Sequence, residues 1–413
     1  MKNTKIVATL GPASIDKISE LSKFVDVFRI NLSHGTKESQ TEYFNKVRDN
    51  APDCAILMDL PGPKLRLGKI EDLPVKKGDL LTFGKGKDML PVTDDIFFKL
   101  AEKNMEMLIA DGKLRLLIEE AGSDYVTAKA LNDFVISSGK GINLPDAKMP
   151  DALTENDYIL LDMALQLGTD FVGLSFVSRS QDIKKVKDIV NGRAKIISKI
   201  EKSEAMKNIR DIAKESDGLM VARGDLGIEL GLHKLYSAQK EIIDAARSFG
   251  KPVILATEVL NSMVAGNSPT RAEVIDIFNG VKEGVDAIML SNETAVGVNP
   301  IEAAQYLRML ADNADLQLSP DKISTDSVHP IAYAAAAIAE SLPGSEIMAE
   351  RNIAMEISKL RVKSKIIATV NNIKERRELN LWYSIYPELS SANQQNPFVS
   401  KKILVKENYI EIK

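Results

Sequence analysis

With 413 residues the chain exceeds what one hydrophobic core comfortably holds, so two or three domains are expected. A hydrophobic share of 44% and a charged share of 27% are those of an ordinary soluble globular protein. The net charge of −4 and pI near 5.7 argue against nucleic acid as a partner, three scattered histidines against a zinc site, and the lack of 18 consecutive apolar residues against a membrane span.

From its first residue, MKNTKIVATLG enters a strand-like run with no signal peptide ahead of it, so a cytoplasmic location is expected. Seven more short apolar runs follow, each closing on polar residues: VFRINLSHG, CAILMDLPG, FVGLSFVSR, KIISKIE, GLMVARGD, VILATE and AIMLSNET. In the second, Arg29, Asn31 and Ser33 alternate and are expected to share one face of a strand. The sole cysteine, Cys54, opens the third run; it reads as a core thiol and excludes an internal disulfide. Between most runs lie stretches such as QDIKKVKDIV and KLYSAQKEIIDAARSF, apolar at i, i+3 and i+4 as helices require. Eight such units predict a (β/α)8 TIM barrel, since a doubly wound open sheet would not need eight.

More than a hundred residues separate the third run from the fourth. From about Arg66 to Leu144 this interval is rich in short strands punctuated by Gly and Asp, as hairpins are. It predicts a small β-barrel-like domain inserted on the side of the barrel where active sites lie, and is read as a lid. After about Ala314 the barrel spacing stops. DLQLSPDKISTDS reads as a polar linker, and helix- and strand-like stretches beyond it predict a C-terminal α/β domain. The expected division is 1–65 with 145–314 for the catalytic barrel, 66–144 for the lid, and 315–413 for a shortened C-terminal domain.

Barrel strands present their chemistry at their C-terminal ends. There the sequence places Thr9, then Arg29, Asn31 and Ser33, then Asp59, Ser175, Lys199 with Glu201, Arg223 with Asp225, Thr257 with Glu258, and Ser291 with Glu293. A single Lys-x-Glu is more simply a buried salt bridge, but so many charges closing apolar strands need a common explanation. Glu201 and Asp225 offer the one or two carboxylates that Mg²⁺ prefers beside substrate oxygens, and ARGDLG offers free N–H groups at a helix start. Together they point to phosphoryl chemistry on a small acid.

The same residues carry a resemblance. FRINLSHG, DLPGPKLR, GINLPD, LSFV, ISKIE, VARGDLG, ATEVLNSM, SPTRAEVIDI and MLSNETAVG resemble the successive motifs of the pyruvate kinase family, in the family's order, over roughly residues 3 to 310 and more loosely beyond. The resemblance implies phosphoryl transfer from phosphoenolpyruvate to ADP, giving pyruvate and ATP in glycolysis, with Mg²⁺ or Mn²⁺ as cofactor and a homotetrameric assembly. It implies that Lys199 neutralises the moving phosphoryl group and Arg29 holds the phosphate. Glu201 and Asp225 would ligate the divalent metal, while Gly224 and Asp225 with Thr257 receive the substrate carboxylate. Arg66, Lys140, His34 and Asn31 match positions at the nucleotide.

Some positions depart from the family. K⁺-dependent members hold the ion with residues matching Asn31, Ser33, Asp59 and a Thr where this chain has Leu60, and they carry Glu where it has Lys64. A lysine there supplies the charge that K⁺ otherwise brings, so K⁺ is expected not to be required. Glu258 replaces the usual Gln, and Asn292 and Val296 replace Gly and Lys. AERNIAME lacks the hydroxyls and glycines of a sugar-phosphate loop, with Arg351 its one nearby cation; no activation by fructose bisphosphate is expected. SANQQNPF is read as an abbreviated surface loop. Two other readings stay open at this point: a Mg²⁺-dependent aldolase or lyase, and a metabolite-sensing relative without catalysis.

Overall fold

The structure, a computed structural model, describes residues 2–145, 147, 153–317, 329–390, 402–406 and 409–412. Most of the expected linker, 318–327, and all of SANQQNPF, 391–398, lie outside the described residues.

All eight apolar runs are strands: Lys5–Thr9, Val27–Asn31, Ala55–Asp59, Phe171–Leu174, Lys195–Ile200, Gly218–Ala222, Val253–Ala256 and Ala287–Leu290. Each pairs in parallel with its neighbours in sequence, and the first pairs with the eighth, which closes the barrel. Both faces of such strands are covered, which is why the runs are apolar throughout rather than alternating. Thr36, Thr154 and Thr270 cap helices Lys37–Asn50, Glu155–Leu167 and Arg271–Glu283 through reciprocal side-chain and backbone hydrogen bonds. The outer core lies between the strands and these helices.

The bore has its own packing. Val7, Val27, Leu57, Phe171, Ile197, Met220, Ile254 and Met289 fill it, and Leu381 from the C-terminal part of the chain joins them. A strand's period of two then dictates what stands one layer higher: Thr9, Arg29, Asp59, Gly173 and Lys199. The apolar filling is thus the floor on which the polar layer rests.

The long interval forms a five-stranded antiparallel sheet with Leu114–Ala121 at its centre, together with a two-stranded ribbon of Leu73–Val75 and Phe134–Ile136. Its core runs from Leu65 to Ala147 and is separate from that of the barrel. The C-terminal part is a mixed sheet: four parallel strands and an antiparallel edge at Ile410–Ile412, packed on helices Pro330–Ser341 and Arg351–Lys359. The helix Pro300–Gln317 continues three residues past the expected end of the barrel. Among the described residues no helix is long and apolar enough to cross a membrane.

Barrel and C-terminal sheet meet through buried polar groups. Asp286, at the foot of the eighth strand, accepts from the N–H of Val253 (3.0 Å), the N–H of Tyr383 (3.2 Å) and the Arg361 guanidinium (2.9 Å). Lys5 donates to the Ile385 carbonyl at 2.6 Å, and burial brings its ammonium pKa down to about 8. Asp286→Ala would strand the buried Arg361 charge. We predict a loss of about 3–5 kcal/mol in chemical denaturation; a shift below ~1 kcal/mol would show this contact to be dispensable.

Candidate active site

The polar layer above the bore is a chain of alternating charges. Asp59, 1% exposed, accepts from Arg29 Nε (2.8 Å) and Nη2 (2.6 Å) on one oxygen, and its other oxygen lies 3.3 Å from Lys199 Nζ. Arg29 also reaches the Thr9 hydroxyl at 3.1 Å. Lys199 Nζ stands 3.1 Å from Glu201 Oε1 and donates to Ser175 Oγ at 2.7 Å, while Ser175 donates onward to the Leu60 carbonyl. Glu201, buried at 2%, takes the Phe176 N–H on its second oxygen at 2.8 Å.

Burial alone would raise the Asp59 carboxyl, but Lys199 and then Arg29 outweigh it and hold its pKa below the usual range. Burial would likewise discharge Lys199, but Asp59 and Glu201 keep its ammonium above its ordinary value. Glu201 goes the other way. Burial, with repulsion from Asp225 and Asp59, pushes its carboxyl up against the pull of Lys199. The Lys-x-Glu motif is therefore a buried salt bridge, as its simplest reading had it, but one link of a longer chain.

Beside it, the helix Arg223–Leu230 starts directly from the sixth strand. Arg223 is tied to Asp276 (2.7 Å) and to the Thr257 carbonyl (2.8 Å), so it braces the loop and is no free cation. The Gly224 N–H donates to Thr257 Oγ1 at 2.8 Å. Thr257 and Glu258 have φ of +70° and +53°, and Phe176 has +54°; these non-glycine strains cluster at the strand ends, as they do at functional sites. Lys64 reaches in from the loop after the third strand, its Nζ 3.2 Å from Asp225 Oδ1.

The remaining candidates stand further out. The second strand ends at Asn31, so Ser33 does not share its face as the alternation predicted. Asn31 Oδ1 accepts from the Ser33 N–H (3.1 Å) and turns the chain there. His34 is exposed, and Glu293 spends both oxygens on the N–H groups of Leu260 and Ser291. Arg66 and Lys140 lie side by side where chain enters and leaves the insert: Arg66 bridges Gly141 and donates to the Gly139 carbonyl at 3.1 Å, and the Lys140 carbonyl accepts from Leu67. Glu258, Asn292 and Val296 are exposed at the rim.

Two supports were invisible as motifs. Phe176 is an ordinary apolar residue whose N–H anchors Glu201. Gly173 stands where a Cβ would fall 2.6 Å from Asp59 Oδ1, so the absence of a side chain makes room for the central carboxylate.

Glu201 and Asp225 also bear on a metal. Among the described residues no cluster of three or more His, Cys, Asp or Glu could enclose an ion. Two carboxylates that repel each other beside an open mouth fit a hard divalent cation that takes its other ligands from substrate and water.

Known proteins resemble this chain in sequence and in fold. A family model described as "Pyruvate kinase, barrel domain" matches residues 1–304. A pyruvate kinase of Agrobacterium vitis is 35% identical over 411 residues, covering 93% of this chain and 85% of that protein. One from Methylorubrum extorquens is 36% identical over 446 residues, covering 100% of this chain and 92% of its own. The crystal structure of a pyruvate kinase from Cryptosporidium parvum superposes with a TM-score of 0.90 at 29% identity, over 100% of this chain and 96% of that one.

Gly173→Ala tests the crowding around Asp59. The added methyl must displace the carboxylate or the strand, and the expected cost is about 1–3 kcal/mol of stability. An unchanged denaturation midpoint would refute the packing argument.

Proposed function

We infer, from the premise that this chain belongs to the pyruvate kinase family, how its barrel mouth performs that family's reaction. The activity is that of EC 2.7.1.40, with phosphoenolpyruvate and ADP as substrates and pyruvate and ATP as products, a glycolytic step. The observation that carries the residue-level reading is the convergence of Arg29 and Lys199 on buried Asp59, with Glu201 against the same ammonium.

In this reading Arg29 holds the phosphate of phosphoenolpyruvate, and Lys199 stands over the phosphoryl group as it moves. Their work is positioning and charge neutralisation in a site with little water, without a covalent step. The N–H groups of Gly224 and Asp225 receive the substrate carboxylate, Gly224 exchanging the Thr257 hydroxyl for it. Thr257 is thereby released to face the carbon on which the enolate is protonated. Pyruvate kinases generally use Mg²⁺; Glu201 and Asp225 would hold it (or Mn²⁺), and when bound it supplies positive charge beside the phosphoryl and enolate oxygens. Arg66, Lys140, Asn31 and His34 meet the nucleotide. The insert 66–144, whose own apolar core and paired connecting strands support its reading as a lid, would close over ADP and exclude water.

The reading extends to regulation. Lys64 within 3.2 Å of Asp225, and an Asp59 carboxylate already shared by two protein cations, support an enzyme that works without K⁺. Arg351 is engaged by Glu378 and Glu375, which supports the absence of a fructose bisphosphate site at that loop. A homotetramer and the domain division given above complete the proposal.

A coupled assay with phosphoenolpyruvate, ADP and Mg²⁺ tests the whole. Lys199→Met is expected to lower kcat by at least ~10³-fold while the protein stays folded; near-normal turnover would remove Lys199 from its role. Rates in sodium-only and potassium-only buffers are expected to agree within about twofold, and strong activation by K⁺ sinks the K⁺-independent reading. Saturation curves for phosphoenolpyruvate should not move with fructose bisphosphate; a marked leftward shift would count against the loop argument.

A further inference from the structure

Directly after Glu201, Lys202 turns away from the mouth and pairs with Glu229, Nζ to Oε1 2.8 Å, with the two side chains 9% and 1% exposed. Glu229 lies four residues, one helical turn, beyond Asp225 in Arg223–Leu230. The pair therefore joins the segment that carries one carboxylate of the mouth to the helix that carries the other. Neither residue belongs to the machinery described above.

Three observations give this link a task. Pairing between the fifth and sixth strands ends at Ile200 with Val221, so the backbone ladder stops short of both Glu201 and Asp225. The helix RGDLGIEL contains two glycines and has little propensity of its own to hold Asp225 still. The Glu229 carboxylate is 1% exposed and takes the Lys202 ammonium at 2.8 Å, so the two segments are tied at a point shielded from water. A buried ion pair is a poor way to gain stability, because apolar residues of similar size serve at least as well; what it supplies is direction. Ser203 ties the same segment to the chain just past the insert, donating to the Pro145 carbonyl at 3.1 Å.

We propose that Lys202 and Glu229 are a positioning pair that sets the separation of Glu201 and Asp225, and with it the affinity of the site for a divalent cation. The proposal rests on the reading of those two carboxylates as metal ligands. It concerns residues next in chain to one ligand and one helical turn from the other; loss of groups that orient metal ligands costs about 10- to 100-fold in affinity.

Direct binding of Mn²⁺, followed by its electron paramagnetic resonance without substrate, tests it. Lys202→Met and Glu229→Gln are expected to weaken Mn²⁺ binding about tenfold or more. In steady-state assays the Mg²⁺ needed for half-saturation should rise by a larger factor than kcat falls. Lys202→Arg should restore most of the affinity. Should a single variant fail to fold, Lys202→Met with Glu229→Leu carries the test, since an apolar pair is expected to recover stability but not the metal. Wild-type Mn²⁺ affinity in that double variant, beside loss of binding in Glu201→Gln and Asp225→Asn, would overturn the positioning role alone. Wild-type affinity in those two ligand variants as well would overturn the ligand assignment and this proposal with it.

Discussion

Everything at the mouth of this barrel depends on one buried carboxylate. Asp59 is sealed from water, and an isolated charge in that position would cost several kcal/mol. It stays ionised because a guanidinium approaches one oxygen and an ammonium the other. The dependence is mutual for Lys199: burial would discharge its ammonium, and Asp59 together with Glu201 keeps it charged. Two cations are thus oriented by the protein's own carboxylate. In the reading proposed above, the substrate phosphate would meet cations already oriented by folding.

Much of this was legible in the sequence because barrel strands make a simple statement. A run buried on both faces is apolar throughout, so a charge at its end is conspicuous; Arg29, Asp59 and Lys199 announced themselves in this way, and eight such runs announced the barrel. Spacing of two placed Lys199 beside Glu201 correctly. The same rule failed at Ser33, because the strand stops at Asn31, whose own side chain bends the backbone. Gly173 and Phe176 carried no signal, since the first acts by what it lacks and the second through its backbone N–H. Lys202 and Glu229 were visible as charges but not as a pair; 27 residues separate them, and only the packing of a helix against a strand end brings them together.

The loops differ in what holds them. At the sixth and seventh strand ends, Arg223 gathers Asp276 and the carbonyls of Thr257 and Glu258, so residues with left-handed backbones are fixed by one guanidinium. The hinge of the insert is held instead by backbone pairing of Arg66 with Gly141, Leu67 with Lys140 and Ile142 with Leu65, and by side-chain bonds from Arg66 to Gly139 and from Ser203 to Pro145. One side is braced by a guanidinium, the other by main-chain hydrogen bonds. Lys64 stands between the two, rooted beside the hinge and reaching to the side that the guanidinium braces.

The foot of the barrel has a different bearing. Leu381 completes the packing of the bore although more than sixty residues separate it from the last barrel helix. Chains emerge from the ribosome amino end first, and domains generally fold in that order. All eight staves are therefore made before their cork. Until that leucine is synthesised, the newborn protein carries an uncovered greasy opening at one end, and its biogenesis passes through a stage when chaperones have something to grip.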